Sequence, residues 1–541
     1  MSGRRGYLCL LLHAHLPFVR HPEYEHFLEE NWYFEAISDT YLPVLDALER
    51  LAADNVRVRL TMTLSPSLTA MFDDSLLRDR VTRYFDQRIA LARSEERRLA
   101  GDAAFGPLAS YYRDRFERSR DAFVNRYRQD LTAAFRGFQD RGSLEIITCG
   151  ATHGFLPLLA VVPSAARAQV RVAVESYRRA FGRDPRGIWL PECAYAPGFD
   201  TVLRDEGIRF FMMESHGLAH AKPRPRFGLH APVYCESGVA AFARDVESSK
   251  QVWSANEGYP GDFAYREYYR DVGFDLPVEY LREHLPHLGP RYNTGTKYYR
   301  ITGRTDHKEP YVPAQARERA ADHAGNFLFN RGQQIDYLAG GMDRPPLVVA
   351  PYDAELFGHW WFEGPIWIEM LCRKLHFDQD HIEPITPSEY LERHPTNQVV
   401  EPCASSWGHN GYYEVWLNGT NDWIYRHLHH ASIRMEALAA RASAPGALEH
   451  RAITQALREL LLAQASDWAF IMKTGTMVPY AIKRTTDHLL RFFQLADQIE
   501  AGAIDSAWLA EIEARDTCFP HLDVAAAYRE VRPPAGQAAG R

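Results

Sequence analysis

Seven short apolar runs, most of them separated by segments of helical periodicity, constrain the fold of this chain more than any other feature. The runs span residues 7–12, 56–64, 144–149, 187–190, 208–213, 239–243 and 347–350. Clear helical patterns lie between them, at residues 36–52, 164–181 and 313–338. Alternating strands and helices are typical of parallel sheets. The sequence therefore predicts an α/β protein built on a distorted β/α barrel.

Titratable side chains follow nearly every run. They are His13 and His15 after the first run, His153, Glu192, Glu214, His216 and Asp245 after later ones, and Asp353 after the last. Because the carboxyl ends of parallel strands meet at one edge, where barrel enzymes carry their active sites, we expect these side chains to gather there. Taken alone, Asp353 could equally cap the next helix.

The rest of the chain divides around this barrel. Residues 76–143 hold long, charged helical sequence, and strand patterns fade after about residue 395 in favour of helices. We therefore predict a barrel from residues 1–75 and 144–395, an inserted helical subdomain from 76–143, a C-terminal helical domain from 396–530 and a flexible tail from 531–541.

The composition of the chain argues against some classes of binding partner. A net charge of -8 and a pI near 6.3 argue against a nucleic-acid partner, and no segment approaches the roughly 18 apolar residues of a membrane span. The seven cysteines are scattered and contain no C-x-x-C pair, which indicates neither a disulfide framework nor a zinc knuckle. We expect a cytoplasmic protein without a metal or other cofactor, monomeric or weakly oligomeric, that acts on neutral substrates.

Glu192 and Asp353 form a plausible catalytic pair, since each follows a short strand and lies among aromatic residues. Glycoside chemistry needs two carboxyl groups, roughly 5 to 5.5 Å apart when one is a nucleophile and roughly 6.5 to 9.5 Å apart when water is activated instead. Tryptophan side chains near loops and strand ends can stack on sugar rings. Trp407 and Trp416 lie in polar, glycine-rich loops and are predicted to be exposed.

The spacing His13-x-His15 supports a rival interpretation, because two imidazoles after a first strand also open metal-dependent hydrolase barrels. His153 and Asp353 could complete such a site. Glu192 and the tryptophans would then have no role. We therefore favour the alternative in which the three histidines donate hydrogen bonds to sugar hydroxyls or orient Glu192.

Five motifs in order resemble those of glycoside hydrolase family 57, and within it the 1,4-α-glucan branching enzymes. They are HAHLPF at 13–18, GATHGF at 150–155, WLPECAY at 189–195, APYDAELFGHWW at 350–361 and TNDWIYRH at 420–427. The resemblance implies a (β/α)7 barrel with helical domains B and C. It also implies that Glu192 is the nucleophile and Asp353 the acid/base of a retaining double displacement that moves an α-1,4-linked chain to a 6-hydroxyl.

The resemblance further implies how α-glucan, as donor and as acceptor, is held. Tyr234 lies where branching members carry a tyrosine on a mobile loop over the site, which promotes transfer. Arg266, Gly295 and Asp467 fall where the family contacts substrate. Trp32, Trp407 and Trp416 are expected to stack on the acceptor chain.

Two expectations stay open at this point. Residues 263–265 lack a tryptophan that we expect many members to carry after the Gly-Tyr-Pro-Gly-Asp turn, which weakens one acceptor contact. The motifs also separate branching enzymes from α-amylases and 4-α-glucanotransferases of the same family less securely than they indicate the family. A non-catalytic glucan-binding protein is the alternative from another class.

Overall fold

A computed structural model describes residues 5–253, 257–285, 291–441 and 446–529. The predicted tail lies outside these ranges. The strands are β1 (Gly6–Ala14), β2 (Leu60–Leu64), β3 (Leu144–Ile147), β4 (Gly187–Trp189), β5 (Phe210–Met213), β6 (Val233–Tyr234), β7 (Ala240–Ala243), β8 (Leu347–Asp353) and β9 (Ile382–Pro384).

Seven parallel strands form a distorted barrel. One sheet runs in the order β3-β2-β1-β8 and the other begins β4-β5-β7. A parallel bridge between Thr148 and Ile188 joins β3 to β4, and the Asp245 amide donates to the Val349 carbonyl (2.8 Å) to join β7 to β8. The predicted α/β barrel fold is confirmed.

The strands differ from their predicted limits in informative ways. The run at 56–64 pairs only from Leu60 onward. Strand β8 continues through Pro351, so Asp353 is its last residue, paired with His13 of β1, and does not lie beyond the strand as predicted. The short strands β6, which is antiparallel to β7, and β9, which is parallel to the start of β1, were not predicted.

Helices surround the barrel and build the segments outside it. Around the barrel lie α1 (Glu30–Ala36), α2 (Leu42–Ala53), α3 (Pro66–Asp73), α7 (Leu156–Leu159), α8 (Pro163–Phe181), α9 (Phe199–Asp205), α10 (Ser215–Ala219), α11 (Val246–Trp253), α12 (Val272–Asp275), α13 (Val278–Arg282), α14 (Pro313–Ala339), α15 (Gly364–Phe377) and α16 (Pro387–Arg393). Between β2 and β3 lie α4 (Ser75–Arg98), α5 (Gly106–Asp121) and α6 (Leu131–Asp140). The C-terminal part holds α17 (Trp423–Ala439), α18 (Leu448–Ala463), α19 (Ser466–Thr474), α20 (Val478–Ala501), α21 (Ser506–Arg515) and α22 (Val524–Tyr528).

Local signals explain several helix ends. The Asp74 carboxylate accepts from the Leu77 amide (3.0 Å) and so caps α4, close to the predicted start of the inserted subdomain. Gly502 ends α20 with a φ of 66°, a left-handed conformation that glycine adopts without a steric penalty. The limits of the predicted domains themselves stay predictions.

The C-terminal helices share one hydrophobic core with the barrel. Leu12 of β1, Leu64 of β2 and Leu460 of α18 are all buried in the same apolar cluster. Polar contacts reinforce this packing, since Arg484 of α20 donates to the Phe18 carbonyl (3.1 Å) just beyond β1. The shared core fixes the beginning of α19 against the catalytic edge of the barrel. None of the helices within the described ranges is long and apolar enough to cross a membrane.

Candidate active site

Glu192 lies directly after β4 in a strained conformation. Its φ of 63° is in the left-handed region, which costs a residue with a side chain about 1–3 kcal/mol and persists where surrounding contacts enforce it. Those contacts come from later in the chain. The Trp407 amide donates to the Glu192 carbonyl (2.9 Å), the Trp407 indole donates to Oε2 (2.7 Å), and the Ser466 hydroxyl donates to Oε1 (2.7 Å). Both carboxylate oxygens are therefore paired.

A row of neutral histidines supports this carboxylate. Nδ1 of His153 lies 2.8 Å from the Ser466 hydroxyl, and its Nε2 lies 3.0 Å from Nε2 of His13. The Ser466 hydroxyl donates its hydrogen bond to Glu192, so Nδ1 of His153 must donate to the Ser466 oxygen. Nε2 of His153 must then accept a hydrogen bond from Nε2 of His13. Burial lowers the pKa of both histidines well below the ordinary value, which agrees with this arrangement. Each donor in the row points toward Glu192.

The two predicted catalytic carboxyls have opposite surroundings. Burial raises the pKa of Glu192 to about 7, while the hydrogen bonds from Ser466 and Trp407 act against that rise and favour the ionised form. Burial, then the charges of Glu355 and Glu192, raise the pKa of Asp353 well above its ordinary value. Within the described part of the chain, its carboxyl receives no comparable hydrogen bond. The geometry thus favours an ionised Glu192 beside a protonated Asp353.

Glu355 is a half-buried third carboxyl that the sequence analysis did not select. Its Oε1 accepts from the Tyr41 hydroxyl (2.5 Å) and from the His15 amide (3.3 Å). Tyr41 ends a π-helical turn, Ile37–Tyr41, of the kind often found at functional sites. Burial raises the pKa of Glu355 to about 7. Among neighbouring charges, Glu355 has the largest effect on Asp353.

We predict that Glu355→Gln moves the high-pH limb of the kcat/KM profile to lower pH. The amide removes the negative charge that helps to keep Asp353 protonated, so the pKa of Asp353 falls and the acid form is lost earlier as pH rises. The measurement is the pH profile of glucan turnover. An unshifted limb, with a melting temperature matching the wild type, would show that Glu355 does not tune Asp353.

His15 and Asp467 complete the polar edge. Nε2 of His15 lies 3.1 Å from Asp467 Oδ2, and its Nδ1 lies 2.8 Å from the Ser65 hydroxyl. Donor atoms of His15, His153 and Asp467 lie within 4.8 Å of one another, so this group could hold a metal ion, as could His13, His153 and Cys149. The His15 and His153 rings stack 3.9 Å apart and 10° from parallel. Their hydrogen bonds already account for the organisation of the group around Glu192.

The three predicted tryptophan platforms differ in position. Trp407 is half-buried against Trp189 and touches Glu192, and Trp32 of α1 is half-buried with its ring edge-on to Tyr480 (5.8 Å). The prediction that Trp416 is exposed is wrong. Trp416 is only 1% exposed because its ring stacks on Phe155 (5.0 Å) inside the core.

The predicted position of Tyr234 on a loop over the site is also wrong. Tyr234 belongs to β6 and pairs with Ala240, the first residue of β7, which lies at the end of the barrel opposite the catalytic edge. Its amide donates to the Gln398 carbonyl (2.8 Å) and its hydroxyl to the Pro395 carbonyl (3.2 Å). These backbone contacts make it part of the barrel floor.

Arg266 and Gly295 lie together in the long segment between β7 and β8. The Arg266 guanidinium donates to the Gly295 carbonyl (3.4 Å) and covers the Phe362 ring at 3.7 Å. Its amide donates to Glu363 (3.2 Å). Arg266 is buried, and these contacts place both residues in the support of this segment. Substrate contact by either residue stays a prediction.

Sequence reasoning missed Ser466, Glu355, Tyr41 and Arg244. Ser466 precedes the predicted Asp467, and Glu355 lies in the same motif as Asp353, so both had a signal in the motifs themselves. Arg244 directly follows β7 and pairs with Glu214 (2.7 Å). Its position at a strand end, like that of the selected residues, was the available signal.

Comparison with known proteins identifies related sequences. The sequence model of glycosyl hydrolase family 57 matches residues 9–402, and that of the C-terminal part of 1,4-alpha-glucan branching enzymes matches residues 427–526. A 1,4-alpha-glucan branching enzyme of Thermococcus kodakarensis is 33% identical over 95% of this chain and 77% of its own length.

Solved structures of related proteins have the same fold as this chain. An α-amylase of Thermotoga maritima superposes with a TM-score of 0.91 and 42% identity, covering 98% of this chain and 100% of that chain. A branching enzyme of Pyrococcus horikoshii superposes with a TM-score of 0.86 and 32% identity, covering 98% of each chain. The resemblance found in the five motifs is confirmed, and the chain belongs to glycosyl hydrolase family 57.

Proposed function

We propose that the chain is a 1,4-α-glucan branching enzyme with Glu192 as nucleophile and Asp353 as general acid/base. The observation that carries the proposal is the contrast between the two carboxyls. Glu192 accepts two hydrogen bonds that favour its ionised form, whereas the half-buried Asp353 lies near two other acidic groups, Glu355 and Glu192, whose charges raise its pKa. Environments that separate two carboxyls in this way assign one to attack and the other to proton transfer. The branching-enzyme relatives support the same function.

The proposed reaction has two balanced steps. Glu192 attacks the anomeric carbon of an α-1,4-linked glucosyl unit while Asp353 gives its proton to the departing 4-oxygen, which leaves a β-linked glucosyl ester. Asp353, now ionised, takes the proton of a 6-hydroxyl on another chain, and that oxygen displaces Glu192. The new linkage is α-1,6, and both carboxyls return to their starting states. Retention needs the two carboxyls roughly 5 to 5.5 Å apart.

Hydrolysis is the second candidate, because the α-amylase of Thermotoga maritima has 42% identity to this chain. The two reactions share the first step and differ only in whether water or a 6-hydroxyl meets the ester. Contacts that hold an acceptor chain over the ester therefore decide between them. Trp32 and Trp407 are half-buried and remain the proposed acceptor platforms.

Incubation of amylose with the protein tests this proposal. We expect new α-1,6 anomeric proton signals in the NMR spectrum, with few new reducing ends. Reducing ends that accumulate without α-1,6 signals would instead assign the α-amylase activity, and new linear chain lengths without branches would assign a 4-α-glucanotransferase. Full activity after dialysis against EDTA is expected, and its loss would favour the metal-dependent alternative.

We further propose a cytoplasmic location and a monomeric or weakly oligomeric state. All seven cysteine thiols are free, and six are buried, which suits a reducing compartment. The proposed partner is α-glucan as donor and acceptor, with no nucleic-acid or membrane partner.

A further inference from the structure

A stacked pair of aromatic rings, with a third ring edge-on to the pair, lies at the catalytic edge of the barrel. Trp360 lies over Tyr268 with ring centres 4.7 Å apart and 27° from parallel, and Tyr269 meets Tyr268 edge-on at 5.2 Å. Trp360 is 55% exposed and Tyr269 80% exposed. Trp361, the next residue, is buried in the core. The paired tryptophans of this motif therefore serve different purposes, and only Trp360 faces solvent.

Hydrogen bonds to Tyr268 hold the stacked pair in place. The Tyr268 carbonyl accepts from the Lys297 ammonium (2.6 Å), which also pairs with the buried Asp271 (3.2 Å). The Tyr268 hydroxyl lies 3.3 Å from Nε2 of His359, whose Nδ1 lies 3.6 Å from Glu35 of α1. These contacts fix the Tyr268 ring, on which Trp360 stacks, so binding there needs little ordering of the Tyr268 side chain.

The stack lies close to the predicted acid/base. Glu355 is two residues beyond Asp353, a span of at most about 7 Å. The Trp360 amide then donates back to the Glu355 carbonyl (3.3 Å), so the loop returns toward the strand end. The backbone of Trp360 is therefore separated by only a short stretch of chain from the strand end that carries Asp353.

Polar groups border one side of the aromatic rings, as sugar binding requires. Imidazole, phenol and carboxyl groups of His359, Tyr268 and Glu35 lie at one side of the stack. Burial, and then the charge of Asp39, raise the pKa of Glu35 to about 8. A flat apolar face bordered by hydrogen-bond donors and acceptors matches the two kinds of surface on a pyranose ring.

We propose that Tyr268, Tyr269 and Trp360 form a glucan platform, a subsite that holds an α-1,4-glucan chain away from the bond being cleaved. This inference rests on the proposed function and extends it. It also offers an aromatic contact in a segment where residues 263–265 lack the expected tryptophan. The occupant is a glucan chain rather than a protein, because the rings follow the strand end that carries Asp353 and are bordered by the hydrogen-bonding groups of Tyr268 and His359.

Trp360→Ala in a Glu192→Gln background tests the platform by binding alone. We expect the Kd for maltoheptaose, measured by calorimetry, to rise about tenfold, since a stacked aromatic contact contributes on the order of one such factor. Tyr269→Ala should raise it less, and Trp360→Phe should retain most of the affinity. Tyr337→Ala is the matched control, because Tyr337 is 85% exposed on α14, and its Kd should not change.

In the Glu192-containing enzyme, Trp360→Ala should raise KM for amylose, whereas the control Tyr337→Ala should leave both KM and kcat within about twofold of the wild type. An unchanged Kd and KM in Trp360→Ala and Tyr269→Ala would overturn the platform, as would a change in oligomeric mass without a change in Kd. These outcomes are independent of product type. A wild-type protein that binds maltoheptaose through Trp360 but makes no α-1,6 linkages would refute the proposed function and leave the platform standing.

Discussion

Glu192→Gln should lower the rate of glucan transfer by at least about 10³-fold while glucan binding stays within about threefold of the wild type. An amide cannot form the glucosyl ester, so the first step is blocked. The fold should be preserved, because the Ser466 hydroxyl can turn to accept from the amide while Trp407 still donates to its oxygen. Transfer is measured by the formation of α-1,6 linkages, and binding by calorimetry with maltoheptaose.

Azide provides the control for this prediction. In Glu192→Ala the anion can occupy the space left by the carboxylate and attack the anomeric carbon from the β face. With maltooligosyl α-fluoride as donor, the expected product is a β-glucosyl azide. A Glu192→Gln enzyme with wild-type turnover, or an α-glucosyl azide from Glu192→Ala, would remove Glu192 from the nucleophilic role.

The local parts of the site could be predicted from the sequence because they follow from strand ends. A short apolar run that ends in a carboxylate needs only the alternation of strands and helices to place that carboxylate at the catalytic edge. Glu192 and Asp353 both follow this rule, although β8 extends to include Asp353. His13, His15 and His153 lie at the same edge for the same reason.

The parts that the sequence did not predict depend on contacts between distant segments. Ser466 reaches Glu192 across 274 residues, and no local pattern indicates which side of α19 faces the barrel. Trp416 is buried because Phe155 covers its ring, although the polar residues Glu414 and Asn418 lie two positions away on either side of it. Tyr234 lies at the floor of the barrel because it pairs with β7 and with Val399. A strand of only two residues gives too short a sequence pattern to predict this pairing.

The C-terminal region is therefore part of the catalytic machinery as well as of the core. It provides Ser466 and Asp467, and the chain just before it provides Trp407. Because Ser466 and Trp407 pair both carboxylate oxygens of Glu192, the barrel alone leaves the predicted nucleophile buried without partners. An unpaired buried carboxylate takes up a proton and ceases to be a nucleophile. The packing of the C-terminal region against the barrel therefore determines whether Glu192 can act as a nucleophile.

Asp353→Asn should lower kcat/KM for amylose by about 10²- to 10⁴-fold, the range that general acid catalysis contributes. The loss should be much smaller for a maltooligosyl fluoride, because fluoride leaves without a proton. The high-pH limb of the kcat/KM profile should also disappear, since that limb reports the loss of the Asp353 proton. Initial rates with both donors, measured across pH, check all three expectations.

The second step of the reaction distinguishes the role of Asp353 from that of Glu192. Without a base to activate the acceptor, the glucosyl ester should accumulate in Asp353→Asn and be detected by mass spectrometry of the intact protein. Azide needs no base and should release the ester as an α-glucosyl azide, the anomer opposite to that expected from Glu192→Ala. If fluoride and amylose lose activity equally, or if the azide product is β, Asp353 does not act as the acid/base. Opposite anomers from the two variants would require carboxyls on opposite faces of one sugar ring, a relation that neither variant alone can establish.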